Sequence, residues 1–178
     1  GWATVKSSFD EMNQTHAILD EGLRQGAVGI GSTVGYAVEA ITTFEMYQMQ
    51  KLAGEYGRVS SVHHRFHPSA APPTEGPMGA KELIANAMVL KAPLQIHHDN
   101  DYGWWEIQEI MHQAREQGHN IWATYYPWIA GAGTYSNSIV HPPVWEGRMG
   151  FKYEETIYDV QMKRFVTKDE FLKFAEEE

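Results

Sequence analysis

Apolar side chains in this sequence follow two rhythms, one recurring every three or four residues and one clustering in short runs. The first spacing stacks side chains on one face of an α-helix, and the second suits a buried strand. Residues 8–25 open in the helical rhythm. Ser8 and Glu11 form a capping box, Phe9, Met12, Leu19 and Leu23 share a face, and Gly26 stops the helix. The run AVGIGS (27–32) then reads as a short buried strand. Thr42 and Glu45 make a second capping box ahead of a stripe of Met46, Met49, Leu52 and Ala53, and Gly57 closes it. RVSSVHH, from Arg58, is the next strand.

The cycle repeats twice more. A Pro- and Ala-rich loop (67–79) leads to a helix over 81–91, with Leu83, Ile84, Ala87 and Leu90 inward, and then to PLQIHH. A helix over 102–117 turns Ile107, Ile110, Met111 and Ala114 inward, ends at Gly118, and precedes a strand over 120–128. Strands therefore start near 27, 58, 93 and 120, with a helix between each pair. Antiparallel strands would not need such crossovers, so the pattern predicts an α/β chain with a parallel sheet. After Trp128 the rhythm breaks into a glycine-rich, aromatic stretch. One more capping box, Thr167 with Glu170, opens a short helix carrying Phe171 and Phe174. The expected division is a β/α unit over 1–133 and a lid-like segment of the same domain over 134–178.

Four strands do not close a (β/α)8 barrel, which needs eight and typically about 250 residues. The first helix has no strand before it and no closing element follows FAEEE, so the expectation is part of a larger barrel.

Composition narrows the partners. The chain has 178 residues, 43% of them hydrophobic and 21% charged, as in an ordinary globular domain. A formal charge of −9 argues against nucleic acid or an anionic membrane surface as a partner. No apolar run has the length of a membrane span. There are no cysteines, so any metal must be held by His, Asp, Glu or backbone oxygen. The expected location is the cytoplasm.

The chemistry gathers in the histidines. In parallel α/β folds functional side chains collect at the C-terminal ends of strands, where His63 and His98 fall on consecutive strands. Neighbouring strands lie about 4.8 Å apart, so two such imidazoles can reach one ion. Nine histidines are present, and any one taken alone reads as hydrogen-bonded or surface-exposed. His64, His67 and His97 crowd the same strand ends, while His16, His112, His119 and His141 read as structural or exposed.

LDEGLRQGAVGI followed by a Tyr, AGEYGRVSSVHHR, PLQIHH and YYPWIAGAG occur in register from Met12 to Gly133. Together they resemble the D-aminoacylase (N-acyl-D-amino-acid deacylase) branch of the amidohydrolase superfamily. The resemblance implies a metal-dependent TIM barrel, of which this chain carries strands 4 to 7, acting on a small-molecule N-acyl amino acid. It implies zinc as cofactor, one or two divalent ions in the complete enzyme, with His63 and His98 as metal ligands. It also implies substrate contacts at Arg65, a guanidinium able to grip a carboxylate, at Tyr36 and at Tyr126. Each has a packing alternative: Arg65 paired with an acid, Tyr36 an exposed aromatic, and Tyr126, about equally, a wedge before Pro127.

The departures are specific. The chain has no HxH motif, no cysteine to bridge metals, and no strand-8 Asp to serve as catalytic base. His67 stands where the family often has an acid, and Asp99 and Asn100 replace the usual residues after the strand-6 His. The isolated chain is therefore expected to be a poor hydrolase. Two other readings compete. One is a non-catalytic half-barrel that forms a homo-oligomer or docks on a complementary fragment to cover its sheet edges. The other is a complete doubly wound domain binding a small ligand, although no nucleotide-binding glycine motif supports it.

Overall fold

A computed structural model describes residues 4–65, 75–99, 104–147 and 149–178. His67, Asn100, most of the Pro- and Ala-rich loop and the expected helix start at Tyr102 lie outside the described residues. The order is α1 (Phe9–Arg24), β1 (Gly29–Ser32), α2 (Thr43–Glu55), β2 (Val59–Val62), α3 (Glu75–Leu90), β3 (Leu94–Ile96), α4 (Trp104–Glu116) and β4 (Ile121–Ala123). The strands form one sheet in the order β1-β2-β3-β4, all parallel. The architecture is thus a partial β/α barrel, as the alternation of rhythms predicts.

The sheet has two unlike faces. Ser60, Val62, Leu94, Ile96 and Ile121 are buried. Val62, Leu94, Ile96 and Ile121 pack against Met46 of α2, Leu83, Ile84 and Ala87 of α3, and Ile107, Met111 and Ala114 of α4. Side chains alternate along a strand, so Gly31, Ser61, Gln95 and Trp122 belong to the opposite face, which is not fully buried. That open face leads to the strand ends that carry the histidines.

Local sequence explains most boundaries. Ser8 and Glu11 close the expected capping box on α1. At α2 only half of it forms: the Thr42 hydroxyl accepts from the Glu45 N–H, while the Glu45 carboxylate accepts from Ser7. Gly26 and Gly118 take φ of 101° and 88° past α1 and α4, a region that glycine enters without a Cβ penalty. Three further expectations need correction. Phe9 is 74% exposed, because α1 packs on α2 through Leu19 and Leu23 further along. The helix expected over 81–91 starts at Glu75, since Pro77 falls in its first turn, where no amide hydrogen is needed. The strand expected over 120–128 pairs only over Ile121–Ala123, the length of its neighbour β3.

Beyond β4 the chain forms a second, smaller cluster. A 3-10 turn (Ser138–Val140), α5 (Pro142–Trp145), α6 (Tyr153–Thr156), a two-residue antiparallel ribbon of β5 (Tyr158–Asp159) and β6 (Arg164–Phe165), and α7 (Lys168–Glu177) surround buried Tyr153, Val166 and Phe171. The expected Thr167–Glu170 capping box is present. No helix among the described residues is long and apolar enough to cross a membrane.

Glu170 supplies a pH prediction. Its carboxylate meets Arg164 with Nη2–Oε1 of 2.6 Å and Nη1–Oε2 of 2.9 Å. The Arg164 hydrogen bonds, followed by that from the Thr167 backbone, lower its pKa from 4.5 to about 2. A carboxyl depressed by folding contributes stability above its unfolded pKa, and that contribution is lost as pH falls through the folded value. Between pH 4.5 and about 2 the wild type is therefore expected to lose stability faster than Glu170→Gln. Thermal melts across that window check it: parallel acid slopes would show that the pair contributes nothing.

Candidate functional site

Register decides which histidine faces which. Val62 pairs with Ile96, so His63 and His97 follow at one level, and the His97 N–H donates to the Val62 carbonyl at 2.9 Å. Alternation from Ser61 and Gln95 puts His63 and His97 on the open face. The same rule sends His64 to the helix side, where it is fully buried and its Nδ1 lies 3.0 Å from the Arg65 carbonyl oxygen. His98 should follow His64, but it does not. Its backbone has φ 58°, a left-handed conformation costing a non-glycine residue on the order of 1–3 kcal/mol. The kink turns its ring back toward His63. Thr124 holds the turn, its hydroxyl accepting from the His98 N–H at 3.3 Å and its carbonyl from the Asp99 N–H at 2.9 Å.

The result is a compact cluster of three imidazoles. Ring centroids lie 4.7 Å apart for His63–His98, 4.7 Å for His63–His97 and 5.8 Å for His97–His98. Tyr36 meets His63 edge-on at 5.1 Å, and Tyr126 meets His98 edge-on at 4.9 Å. The Tyr126 hydroxyl donates to the Ala130 carbonyl at 3.1 Å. Four of the five residues singled out in the sequence thus come together on one side of the sheet.

Arg65 stands apart. Its Nε and Nη2 donate to the two oxygens of Glu82 at 2.9 and 3.3 Å, and its Nη1 to the Val38 carbonyl at 2.8 Å. The two side chains are 12% and 13% exposed. A guanidinium gripping a carboxylate is present, but the carboxylate is Glu82's. Two further residues at the cluster were not singled out in the sequence. Ser61 lies one alternation before His63, and Thr124 follows β4; both bond to His97. The only sequence signal for them is their level in the register, which becomes visible once the strands are paired.

The donor set partly suits a divalent ion. Zinc takes imidazole nitrogen at roughly 2.0–2.1 Å, so two tilted rings at this spacing can serve one ion. Among the described residues no three His, Asp or Glu side chains form a group able to hold a metal. His63 and His98 would supply two of the several ligands such an ion needs.

Comparison with solved structures gives the same architecture. An N-acyl-D-glutamate deacylase from Bordetella bronchiseptica, in a complex with zinc and a phosphonate inhibitor that mimics the tetrahedral intermediate, superposes with a TM-score of 0.60 at 19% identity. The match covers 71% of this chain and 27% of that one. A D-aminoacylase, a mutant in complex with copper chloride, gives a TM-score of 0.58 at 21% identity over 72% of this chain and 27% of its own. The fold is a partial TIM barrel. The dihydropyrimidinase of Brevibacillus agri matches 93% of this chain and 37% of its own, with a TM-score of 0.52 at 14% identity. No protein-family model matches the sequence, and no curated protein does. The chain spans about a quarter of the length of the deacylase and the D-aminoacylase, 27% in each case.

Proposed function

We propose that this chain is the part of a metal-dependent amidohydrolase that contributes two metal-binding histidines, His63 and His98, to the hydrolysis of N-acyl-D-amino acids. The observation that carries the reading is the left-handed turn at His98, which brings its ring to 4.7 Å from that of His63. Unfavourable backbone held in place by neighbours points to a functional demand on that side chain. The fold likeness to a zinc-bound deacylase and to a D-aminoacylase supports the substrate class.

In this reading His63 and His98 offer neutral imidazole nitrogens, while Tyr36 and Tyr126 wall the two rings and border the substrate. Arg65 fixes the His63 turn to α3 and reaches a substrate carboxylate only by exchanging Glu82's. A bound zinc ion supplies activation of water and polarisation of the amide carbonyl. The segment over 134–178, with its own core, is the cap of the site, and the remaining ligands come from a complementary part of the barrel.

Zinc titration by calorimetry tests this. Each of His63→Ala and His98→Ala is expected to weaken binding beyond the 10–100-fold typical of losing a residue that only orients a ligand. Undiminished binding in the double variant rejects the site. A cyclic-amide substrate is the second reading, favoured by the dihydropyrimidinase match over 93% of the chain. Titrating the zinc-loaded chain with an N-acetyl-D-amino acid and with a hydantoin separates the two.

A further inference from the structure

His97 belongs to the cluster, yet its ring is used differently from its neighbours'. Its plane lies 21° from that of His63 at a centroid distance of 4.7 Å, a stacked pair, whereas His98 is tilted 54° from His63. Both His97 nitrogens are engaged. Nε2 lies 2.6 Å from the Ser61 hydroxyl oxygen and Nδ1 3.4 Å from that of Thr124. The Ser61 hydroxyl has one hydrogen, and it donates to Gln95 Oε1 at 2.7 Å. Ser61 must then accept from His97 Nε2–H, which leaves the Nδ1 lone pair facing the Thr124 hydroxyl. The result is a run of bonds from Thr124 through His97 and Ser61 to Gln95, tying β2, β3 and the end of β4 together.

We propose that His97 is a positioning residue: anchored by Ser61 and Thr124, its flat face fixes the orientation of the His63 ring without itself binding metal. Stacking suits that task. A ring pressed against the face of His63 limits rotation about its second side-chain torsion. Orienting partners of this kind set how well a ligand meets its ion. The inference rests on reading His63 and His98 as the metal-binding pair, and its test has one arm that needs no metal.

Imidazole NMR on the metal-free 178-residue chain is that arm. In the wild type the His63 ring protons are expected to carry an upfield ring-current shift from the stacked neighbour. His97→Ala removes the shift and His97→Phe, which keeps a flat ring, retains most of it. The second arm is cobalt and zinc affinity. His97→Ala is expected to lose about 10–100-fold, His97→Phe to recover to within several-fold of wild type, and Ser61→Ala, which releases one anchor, to fall between. Two results overturn the proposal: unchanged His63 resonances in His97→Ala, or a direct coordination shift at a His97 nitrogen when metal is added. If the wild type binds no metal, the reading of the site fails, and the metal-free spectra still decide whether His97 orients His63.

Discussion

Glu82→Ala is expected to destabilise the chain by about 3–5 kcal/mol, the usual consequence of leaving one partner of a buried ion pair uncompensated. The Arg65 and Glu82 side chains keep 12% and 13% exposure, so solvent partly compensates the uncovered Arg65 and the lower end of that range applies. For a domain of this size each kcal/mol moves the melting temperature by about 2–4 °C, so the fall should be about 6–12 °C. The loss has a structural address. Arg65 joins three segments: the turn that follows His63, α3 through Glu82, and the loop bearing Tyr36 through the Val38 carbonyl. Releasing it is expected to broaden the His63 imidazole signals as well as lower the melting point. Arg65→Met combined with Glu82→Leu should recover most of the stability, because two packed apolar groups remove both desolvation penalties. A single variant that melts like the wild type would mean that the pair is solvated and contributes nothing.

The pair also shows where sequence reading reaches its limit. That Arg65 would meet a carboxylate was legible from the residue type on an acidic chain. Which carboxylate it meets depends on where α3 begins, and PMG reads as loop by composition. The helices and strands were legible because burial on one face imposes its period directly on the sequence, as Leu83, Ile84 and Ala87 show. The meeting of His63 with His98 was legible only in outcome. Matched strand ends suggested it, whereas register places His97 opposite His63 and His98 arrives through a left-handed residue. Histidine enters the left-handed region more readily than most residues but does not mark it, and the hydrogen bonds enforcing the turn come from Thr124, 26 positions away. The ribbon of Tyr158–Asp159 and Arg164–Phe165 has only two residues per strand, too few for an alternation to register.

Gly79→Ala is expected to destabilise the chain by about 2 kcal/mol or more, while Gly22→Ala is expected to stabilise it by up to about 1 kcal/mol. Both glycines lie in helices, and intrinsic propensity favours alanine at each by the same amount. Packing reverses the sign at one of them. A Cβ on Gly22 meets nothing within 4 Å, but a Cβ on Gly79 falls 1.8 Å from the Arg65 carbonyl oxygen and 2.6 Å from its carbon. Those atoms are backbone, so no rotamer change relieves the overlap, and α3 must move away from the end of β2 by more than an ångström on the order of van der Waals contact. Overpacking of this kind typically costs about 1–3 kcal/mol, occasionally more, which exceeds the propensity gain. Displacing α3 also pulls Glu82 from Arg65, so the two perturbations share a mechanism and should not add. Chemical denaturation of Gly79→Ala, Glu82→Ala and the double variant measures that coupling. A double variant whose loss equals the sum of the singles would show that the helix contact and the ion pair act independently. Losses well below the sum would show that both hold α3 against the turn that presents His63.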